Sequence, residues 1–438
     1  MELTAKLVNK KLLTPTFVSL WIIMFLVEFV KGSLIVAILP VYMGDVLKLS
    51  AFAIGLSFSC QYIGDNLFRS PAGWLIERIG FRLTMTIGLC ITFGAVFIIT
   101  FMKTMGFIVL GCALLGIGTA PLWPCVLMGI TAVTEENKNF GTAMGVIQIS
   151  SLGGTGLGPV IINFLVSVSY TLVFWVLLGC MGLVILVSLF LPRHTNRPGN
   201  ADESTSAAQE GSGTPAALEG TTGGLWRGGP ARIWQNIRGT LHHIRTHLKV
   251  SPLLYPALFL QSFAVGLLTP VITLFVRSEL GLSPEAFSLM LISGGGVTVL
   301  GLIPIGKLVD RYGTRRFLNT GFALAAVSVG LFAFMRPMPV VWLLVLLIGV
   351  SYAFILPTWD TMISHMLPEG EKGTVWGLFL TIQGSGMVVG PIVSGKMWDA
   401  LGPPAPFLAS SVSMALLFFI HLYISRKQQP APPGISSR

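Results

Sequence analysis

Charged residues are scarce in this chain of 438 residues. Asp, Glu, Lys and Arg together make up 11% of the sequence, whereas soluble domains carry about 25%. Hydrophobic residues make up 53%, and the mean hydropathy is +0.79. So few charges cannot cover the surface of a soluble fold. The composition excludes that class and indicates a protein embedded in a lipid bilayer.

Paired cysteines and catalytic motifs are lacking as well. The cysteines lie singly in apolar stretches, so the sequence predicts no disulfide framework and no metal site. Gly-x-Ser-x-Gly, His-Glu-x-x-His and nucleotide-binding loops are absent. We therefore expect neither an enzyme nor a bound cofactor. The five cysteines are Cys60, Cys90, Cys112, Cys125 and Cys180.

Long hydrophobic runs are abundant. About 20 apolar residues suffice for a helix to cross roughly 30 Å of hydrocarbon. The runs lack the alternation of barrel strands, and helices satisfy every backbone polar group internally. The sequence therefore predicts an all-α membrane protein with twelve spans, split six and six. The predicted spans are residues 17–42, 51–76, 83–102, 106–132, 140–166, 169–191, 251–276, 285–306, 316–335, 339–364, 373–397 and 404–424.

The basic residues indicate the orientation of these spans. Of the 28 Lys and Arg residues, 21 fall on the side of the N-terminus and five on the opposite side, while Lys31 and Arg69 lie within spans. Cytoplasmic loops carry the excess of Lys and Arg, so both termini are expected in the cytoplasm. The formal charge of +10 then reflects topology, and no nucleic-acid partner is predicted.

One loop pattern of ten residues occurs twice. Each copy stands between two apolar runs and has a glycine, an acid, a base, a second glycine and a second base in the same order. We expect each acid to accept hydrogen bonds from loop arginines, including Arg316, or from a helix terminus. It would then act as a latch when the cytoplasmic side is closed. The first copy contains Gly73, Glu77, Arg78, Gly80 and Arg82, and the second contains Gly306, Asp310, Arg311, Gly313 and Arg315.

The duplication extends over both halves of the chain. Landmarks such as Pro40 and Pro270, or Trp123 and Trp359, recur at a nearly constant spacing. Parallel repeats of this kind place the substrate site between the halves, near the bilayer midplane. The predicted organisation is an N-terminal six-helix bundle at 1–191, a cytoplasmic linker at 192–250, a C-terminal six-helix bundle at 251–425 and a cytoplasmic tail at 426–438. The linker includes an amphipathic interfacial helix at about 231–249, for which a solvated linker helix is the alternative.

These features together resemble the major facilitator superfamily, and the resemblance covers almost the whole chain. Five shorter segments are similar to the Gram-positive flippases of the lipoteichoic-acid glycolipid anchor. The resemblance implies a proton-coupled antiporter of the bacterial plasma membrane that flips or exports an amphiphile, with a glycolipid as the first candidate, by alternating access. A multidrug exporter of the same fold is the alternative. The five segments are Leu26–Gly32, Tyr62–Asp65, Ala120–Trp123, Leu356–Trp359 and Trp376–Gly384.

Four ionisable residues fall inside predicted spans of the first half. A charge in hydrocarbon costs about 2.5–3.5 kcal/mol, so such residues are functional candidates by default. Glu28 and Lys31 are three residues apart, and Asp65 and Arg69 are four apart. Each pair therefore shares a helix face and could form a local ion pair. Packing alone is the alternative role. In the flippases that the chain resembles, the matching acids and the base after the first one line the cavity and couple protons.

A second group of residues is expected to line the substrate cavity. Tryptophan offers a stacking face and an N–H group that suit sugars, although a tryptophan can equally belong to the core. The second half is poorer in charge. Asp360 is its one acid well inside a predicted span, and it could be a gate contact and not a cavity residue. This asymmetry suits an amphiphile whose headgroup contacts the first half and whose acyl chains contact the second. The group comprises Trp123, Gln148, Gln261, Trp359, Asp360 and Gln383.

The pattern Gly-x-x-x-Gly-Pro occurs once in each half. Small residues four apart let two helices approach closely, and the proline weakens the local hydrogen-bond ladder so that the helix can bend. The first copy also resembles the antiporter motif of the superfamily, which implies exchange of the exported substrate against protons. The two copies are Gly154, Gly158 and Pro159, and Gly386, Gly390 and Pro391.

Overall fold

The structure, a computed structural model, describes residues 14–133, 140–191, 253–365 and 372–427. Within these ranges the chain forms twelve helical segments and no strand. The all-α prediction is confirmed, and each predicted span falls on one of the segments. They are α1 (Pro15–Val46), α2 (Ala51–Ile79), α3 (Phe81–Phe101), α4 (Met105–Thr119 and Leu122–Val133), α5 (Phe140–Val166), α6 (Tyr170–Leu189), α7 (Leu254–Leu268 and Ile272–Ser278), α8 (Pro284–Tyr312), α9 (Thr314–Phe332), α10 (Met338–His365), α11 (Lys372–Leu401) and α12 (Ala405–Lys427).

Successive segments alternate in direction, which gives the bundle two faces. The face that holds the start of α1 and the end of α12 is called the termini face, and the opposite one is called the distal face. The α2–α3 and α8–α9 loops, which carry the duplicated pattern, lie on the termini face. The predicted linker at 192–250, its helix at 231–249 and most of the predicted tail lie outside the described residues.

Ten of the described segments are long and apolar enough to cross a membrane. The other two, α2 and α9, have the length but carry charge. Asp65 and Arg69 stand inside α2, and Arg315 and Arg316 stand at the start of α9. Two of the helix starts are fixed by matched serine caps: Ser50 Oγ accepts from the N–H of Ala53, and Ser283 Oγ accepts from the N–H of Ala286, both at 3.2 Å.

Three of the segments depart from the continuous helices that the sequence predicts. In α1, π-helical turns at Ser33–Ile38 and Tyr42–Val46 flank Pro40. Segment α4 is interrupted at Pro121, and α7 is interrupted around Pro270. Proline has no N–H group and its ring crowds the preceding turn, so the ladder gives way next to it.

The Gly-x-x-x-Gly-Pro pattern packs α5 on α1 and α11 on α7. A Cβ atom at Gly158 would lie 2.5 Å from the carbonyl oxygen of Phe29, and one at Gly154 would lie 2.3 Å from that of Phe25. In the second half a Cβ at Gly386 would lie 2.4 Å from the oxygen of Phe259. Only glycine fits these close approaches, so the predicted tight packing is confirmed in both halves.

The two halves meet near the distal face. Ser59 on α2 donates to the carbonyl oxygen of Val388 on α11 at 2.6 Å, and Ser288 on α8 donates to that of Val160 on α5 at 3.1 Å. Thr273 on α7 also donates to the carbonyl oxygen of Val36 on α1, and Asp399 at the end of α11 accepts from the start of α2. The structure is therefore closed on the distal side.

A candidate transport site between the two halves

The charged residues of α1 and α2 form one cluster. Asp65 Oδ2 lies 3.1 Å from Nη2 of Arg69, the local pair that the spacing predicted, and 3.6 Å from Nζ of Lys31 on the neighbouring helix. The side chain of Asp65 is 12% exposed and that of Arg69 is 42% exposed. Both basic groups therefore neutralise a single carboxylate that is almost buried, with Arg69 at its more open side.

Glu28 differs from its predicted arrangement. The expected pair with Lys31 is absent, because Lys31 contacts Asp65 on α2 instead. Glu28 Oε2 lies 3.1 Å from Thr155 Oγ1 on α5, and the same hydroxyl lies 3.0 Å from the carbonyl oxygen of Ser151. The half-buried carboxylate of Glu28 thus has a neutral hydroxyl as its partner.

An apolar cavity of about 360 Å³ adjoins this hydroxyl. Residues of α7, α8 and α10 form most of its wall, and α5 contributes Thr155, Gly156 and Pro159. Among the described residues that line it, none is charged. Its volume falls within the range of about 300–1,000 Å³ typical of ligand pockets. The cavity lies mainly in the second half, while the charge cluster lies in the first.

The remaining candidate residues are distributed unevenly. Gln261 is half-buried and its Oε1 accepts from Ser262 Oγ at 3.1 Å. Gln383 is half-buried, and Trp123 is half-buried against the core of the first half. Gln148 is exposed. None of these four lines the apolar cavity.

Trp359 does not occupy the position expected of a cavity residue. Its side chain is 4% exposed and its ring packs edge-on against Phe322 in the core of the second half. The ring belongs to this core, whereas Trp123 is half-buried, so the two matched tryptophans differ in exposure. Asp360, next to it, is exposed and also lies outside the apolar cavity.

The two loop copies share their backbone geometry. Gly80 and Gly313 have φ values of 85° and 82°, in the region that favours glycine. A Cβ atom at Gly73 or Gly306, by contrast, would have no neighbouring atom within 4 Å. The second glycine of the pattern is therefore required by the turn, and the first is not required by packing.

Arginines of the two loops make contacts that the latch prediction did not include. Arg82 donates to the carbonyl oxygen of Leu189 at the end of α6, so it joins helices within the first half. Arg78 stacks on Trp74, with its guanidinium 4.2 Å from the ring centroid, and Arg311 lies over Tyr312 at 5.4 Å. Arg315 is half-buried. The side chains of both latch acids, Glu77 and Asp310, lie outside the described residues.

A contact on the distal face was missed by sequence reasoning. Asp399 at the end of α11 accepts from the N–H groups of Ala51 and Phe52, at 3.0 and 2.9 Å, and so binds the start of α2 in the other half. A Cβ at Gly395 would lie 2.2 Å from the oxygen of Ala51. A lone acid at a span end resembles any loop charge, so no sequence signal distinguished it. The contact of Thr155 with Glu28 was also missed, because no sequence signal distinguished this threonine.

Comparison with known proteins agrees with this architecture. The model of the Major Facilitator Superfamily matches residues 20–250 and 254–438. The proton-coupled antiporter flippase LtaA of Staphylococcus aureus (strain MSSA476) is 25% identical over 388 residues, which covers 86% of this chain and 87% of that protein. LtaA of Staphylococcus saprophyticus is 25% identical over 394 residues, covering 87% of each.

A solved structure shows the same fold. The nucleoside transporter NupG superposes with a TM-score of 0.73 at 16% identity, covering 94% of this chain and 99% of NupG. At that identity the likeness concerns the fold alone. The family match, by contrast, spans nearly the full sequence, and it accords with the repeated loop, the glycine packing and the two six-helix halves. The chain belongs to the Major Facilitator Superfamily and is a multi-pass membrane transporter.

Proposed function

We propose that this transporter is a proton-coupled antiporter that flips an amphiphilic lipid, of glycolipid type, across a bacterial plasma membrane. The observation that carries the proposal is the division of the interior. A cluster of charged residues lies in the first half, and an uncharged cavity of about 360 Å³ lies mainly in the second. An amphiphile needs both environments at once, one for its headgroup and one for its acyl chains.

Thr155 links the two environments. Its hydroxyl contacts Glu28 and its residue also lines the apolar cavity. A polar headgroup held near Glu28, Lys31 and Asp65 would thus leave its acyl chains beside the wall formed by α7, α8 and α10. The names of the LtaA relatives, proton-coupled antiporter flippases, agree with such a substrate.

Glu28 is suited to carry the proton. When it is ionised, it accepts from Thr155 Oγ1. When it is protonated, it donates to the same oxygen, and the hydroxyl proton of Thr155 turns to the carbonyl oxygen of Ser151, 3.0 Å away. Both protonation states then have hydrogen-bonded partners, so neither leaves a buried polar atom unsatisfied. Asp65 contacts two bases, and one of these contacts would be lost when Lys31 or Arg69 moves to the substrate.

The closed distal face defines the state of the cycle. With the termini in the cytoplasm, as the loop charges predict, the distal face is extracellular and the structure corresponds to the inward-facing state. Transport outward then requires the distal contacts, including that of Asp399 with the start of α2, to break. One proton that enters down a potential of about 100 mV supplies about 2.3 kcal/mol for the cycle.

Reconstitution tests the proposal. The purified transporter is placed in liposomes with an NBD-labelled diacylglycerol that bears a disaccharide headgroup, and dithionite reports which leaflet holds the label. We expect flipping that accelerates several-fold when a proton gradient is imposed, relative to liposomes without protein. A cationic dye tested in parallel should not be transported.

The outcome that would contradict the proposal is equally defined. If the dye is exported on the proton gradient and the labelled lipid stays in its leaflet, the transporter is a small-molecule exporter of the same family. If the lipid flips at the same rate with and without the gradient, proton coupling is wrong.

A further inference from the structure

A second apolar crevice, of about 290 Å³, lies on the outside of the first half. Its walls are α2 and α3, and its floor is formed by Ile117 and Pro121 of α4. Phe68 on α2 and Ile87 on α3 stand at its edges, each 40% exposed. Segment α3 packs mainly against α4 and α6 of its own half. All of its lining residues belong to the first half and none of them lines the cavity between the halves, so we infer that the crevice opens toward the bilayer.

The depth of the crevice matches a single leaflet. Its lining residues on α2 run from Phe68 to Leu75, and α2 ends at Ile79 on the termini face. At about 1.5 Å per residue, the crevice extends from about 6 to about 17 Å below the end of the helix. One leaflet of the hydrocarbon core is about 15 Å thick, half of the full 30 Å. The crevice thus has the position of an acyl chain of that leaflet.

A positive charge stands directly above it. Trp74 lines the crevice, and the guanidinium of Arg78 stacks on its ring at 4.2 Å from the centroid. Stacking uses the flat face of the guanidinium and leaves the N–H groups at its edge available for oxygens. Arg78 itself is exposed. An anion beside Arg78 would be held at the surface, one helical turn above the apolar crevice.

We propose that the crevice between α2 and α3 binds one phospholipid with a net negative headgroup from the leaflet on the termini face. One acyl chain fills the space between Phe68 and Ile87, and the phosphate accepts hydrogen bonds from Arg78. The charge complementarity selects an anionic lipid, and the opening toward the bilayer selects a lipid and not a soluble anion. This site is separate from the transport cavity and does not depend on the proposed function.

Native mass spectrometry of the full chain in detergent tests the site. Phosphatidylglycerol and phosphatidylcholine with identical acyl chains are titrated separately, and the first bound lipid is counted. We expect phosphatidylglycerol to bind at least fivefold more tightly. Arg78→Gln should remove this preference, because the phosphate loses its partner. Ile87→Trp should weaken both lipids at least fivefold, because the indole closes the opening of the crevice.

Matched variants serve as controls. Arg311→Gln removes the equivalent base of the other loop copy, and Leu83→Trp adds an indole to another exposed position of α3, where Leu83 is 51% exposed. Both should bind the lipids as the unaltered chain does. The proposal is overturned if the unaltered chain shows no preference for phosphatidylglycerol, or if the controls lose as much binding as Arg78→Gln and Ile87→Trp.

Discussion

The two halves of the transporter repeat their backbone packing and differ in what they place inside it. A Cβ at Gly116 of α4 would lie 2.0 Å from the carbonyl oxygen of Gln61 on α2, and one at Gly349 of α10 would lie 2.4 Å from that of Gly294 on α8. Gly116 and Gly349 are separated by the same number of residues as the residues that they contact, Gln61 and Gly294. Helix contacts that only glycine permits were thus retained in both copies.

The side chains at the matched positions have diverged. By the spacing of the duplicated loop, the counterpart of Asp65 is Thr298, whose hydroxyl lies 3.0 and 2.9 Å from the carbonyl oxygens of Gly294 and Gly349. By the spacing of Pro40 and Pro270, the counterpart of Lys31 is Gln261. Where the first half has a cross-helix ion pair, the second has neutral groups, and Thr298 lines the apolar cavity. A conserved scaffold can therefore hold two chemically distinct surfaces that face one site.

Of the substitutions that test the difference between the halves, removal of the Asp65 carboxylate should reduce transport most. Asp65→Asn leaves Lys31, whose side chain is 18% exposed, without its carboxylate, and an uncompensated buried charge costs about 3–5 kcal/mol. We expect the proton-driven transport rate in liposomes to fall at least about 100-fold, equivalent to about 2.7 kcal/mol. Thr298→Val at the matched position should keep the rate within about threefold. If both variants lose the same share of the transport rate, the proposed difference between the charged first half and the neutral second half is wrong.

A smaller effect is expected where the halves are alike. Gly80→Ala and Gly313→Ala force a side chain into a region of φ that favours glycine, which costs about 1–3 kcal/mol each. Gly73→Ala and Gly306→Ala lie within helices with open space around them, and alanine should leave stability unchanged or raise it by up to about 1 kcal/mol. The free energy of unfolding in detergent measures both. If only one of Gly80→Ala and Gly313→Ala lowers the free energy of unfolding, the two loops are not structurally equivalent.

The smallest effect concerns the contact that joins the halves. Asp399→Asn removes the negative charge at the start of α2, which is worth about 0.3–1 kcal/mol at a helix N-terminus. We expect the population with an open distal face to rise about two- to fivefold. Single-molecule fluorescence between labels at Lys48 and Gly281, after replacement of the native cysteines, reports that distance. Asp45→Asn, another exposed acid near the distal face, is the control and should leave the distribution unchanged.

Much of the fold could be predicted because the bilayer permits few alternatives. An apolar run of sufficient length must form a helix there, so α2 was predicted from residue 51, where Ser50 caps it. The glycine packing was predictable too, because the spacing of small residues defines a helix face. The side-chain contacts inside the bundle were harder to predict. Glu28 and Lys31 share a face by spacing, yet Lys31 pairs with Asp65, since the rotation of α1 against α2 sets which groups meet.

Prolines at matched positions of the two halves also show what the sequence pattern does not predict. Pro121 interrupts α4, whereas Pro357 lies within a continuous α10. Pro40 lies between two π-helical turns of α1, and Pro270 breaks α7. The residue type permits a disruption in every case. The sequence pattern alone does not distinguish these outcomes.

The membrane class, the twelve helices, the repeat and the glycine positions could all be predicted, because each follows from local hydropathy or from backbone sterics. The packed structure was needed to show that Asp65 neutralises two bases, that Glu28 contacts Thr155, that Trp359 belongs to the core and that Asp399 joins the halves. These contacts connect residues that are distant in the chain, and they depend on the rotation and depth of each packed helix, which hydropathy does not encode.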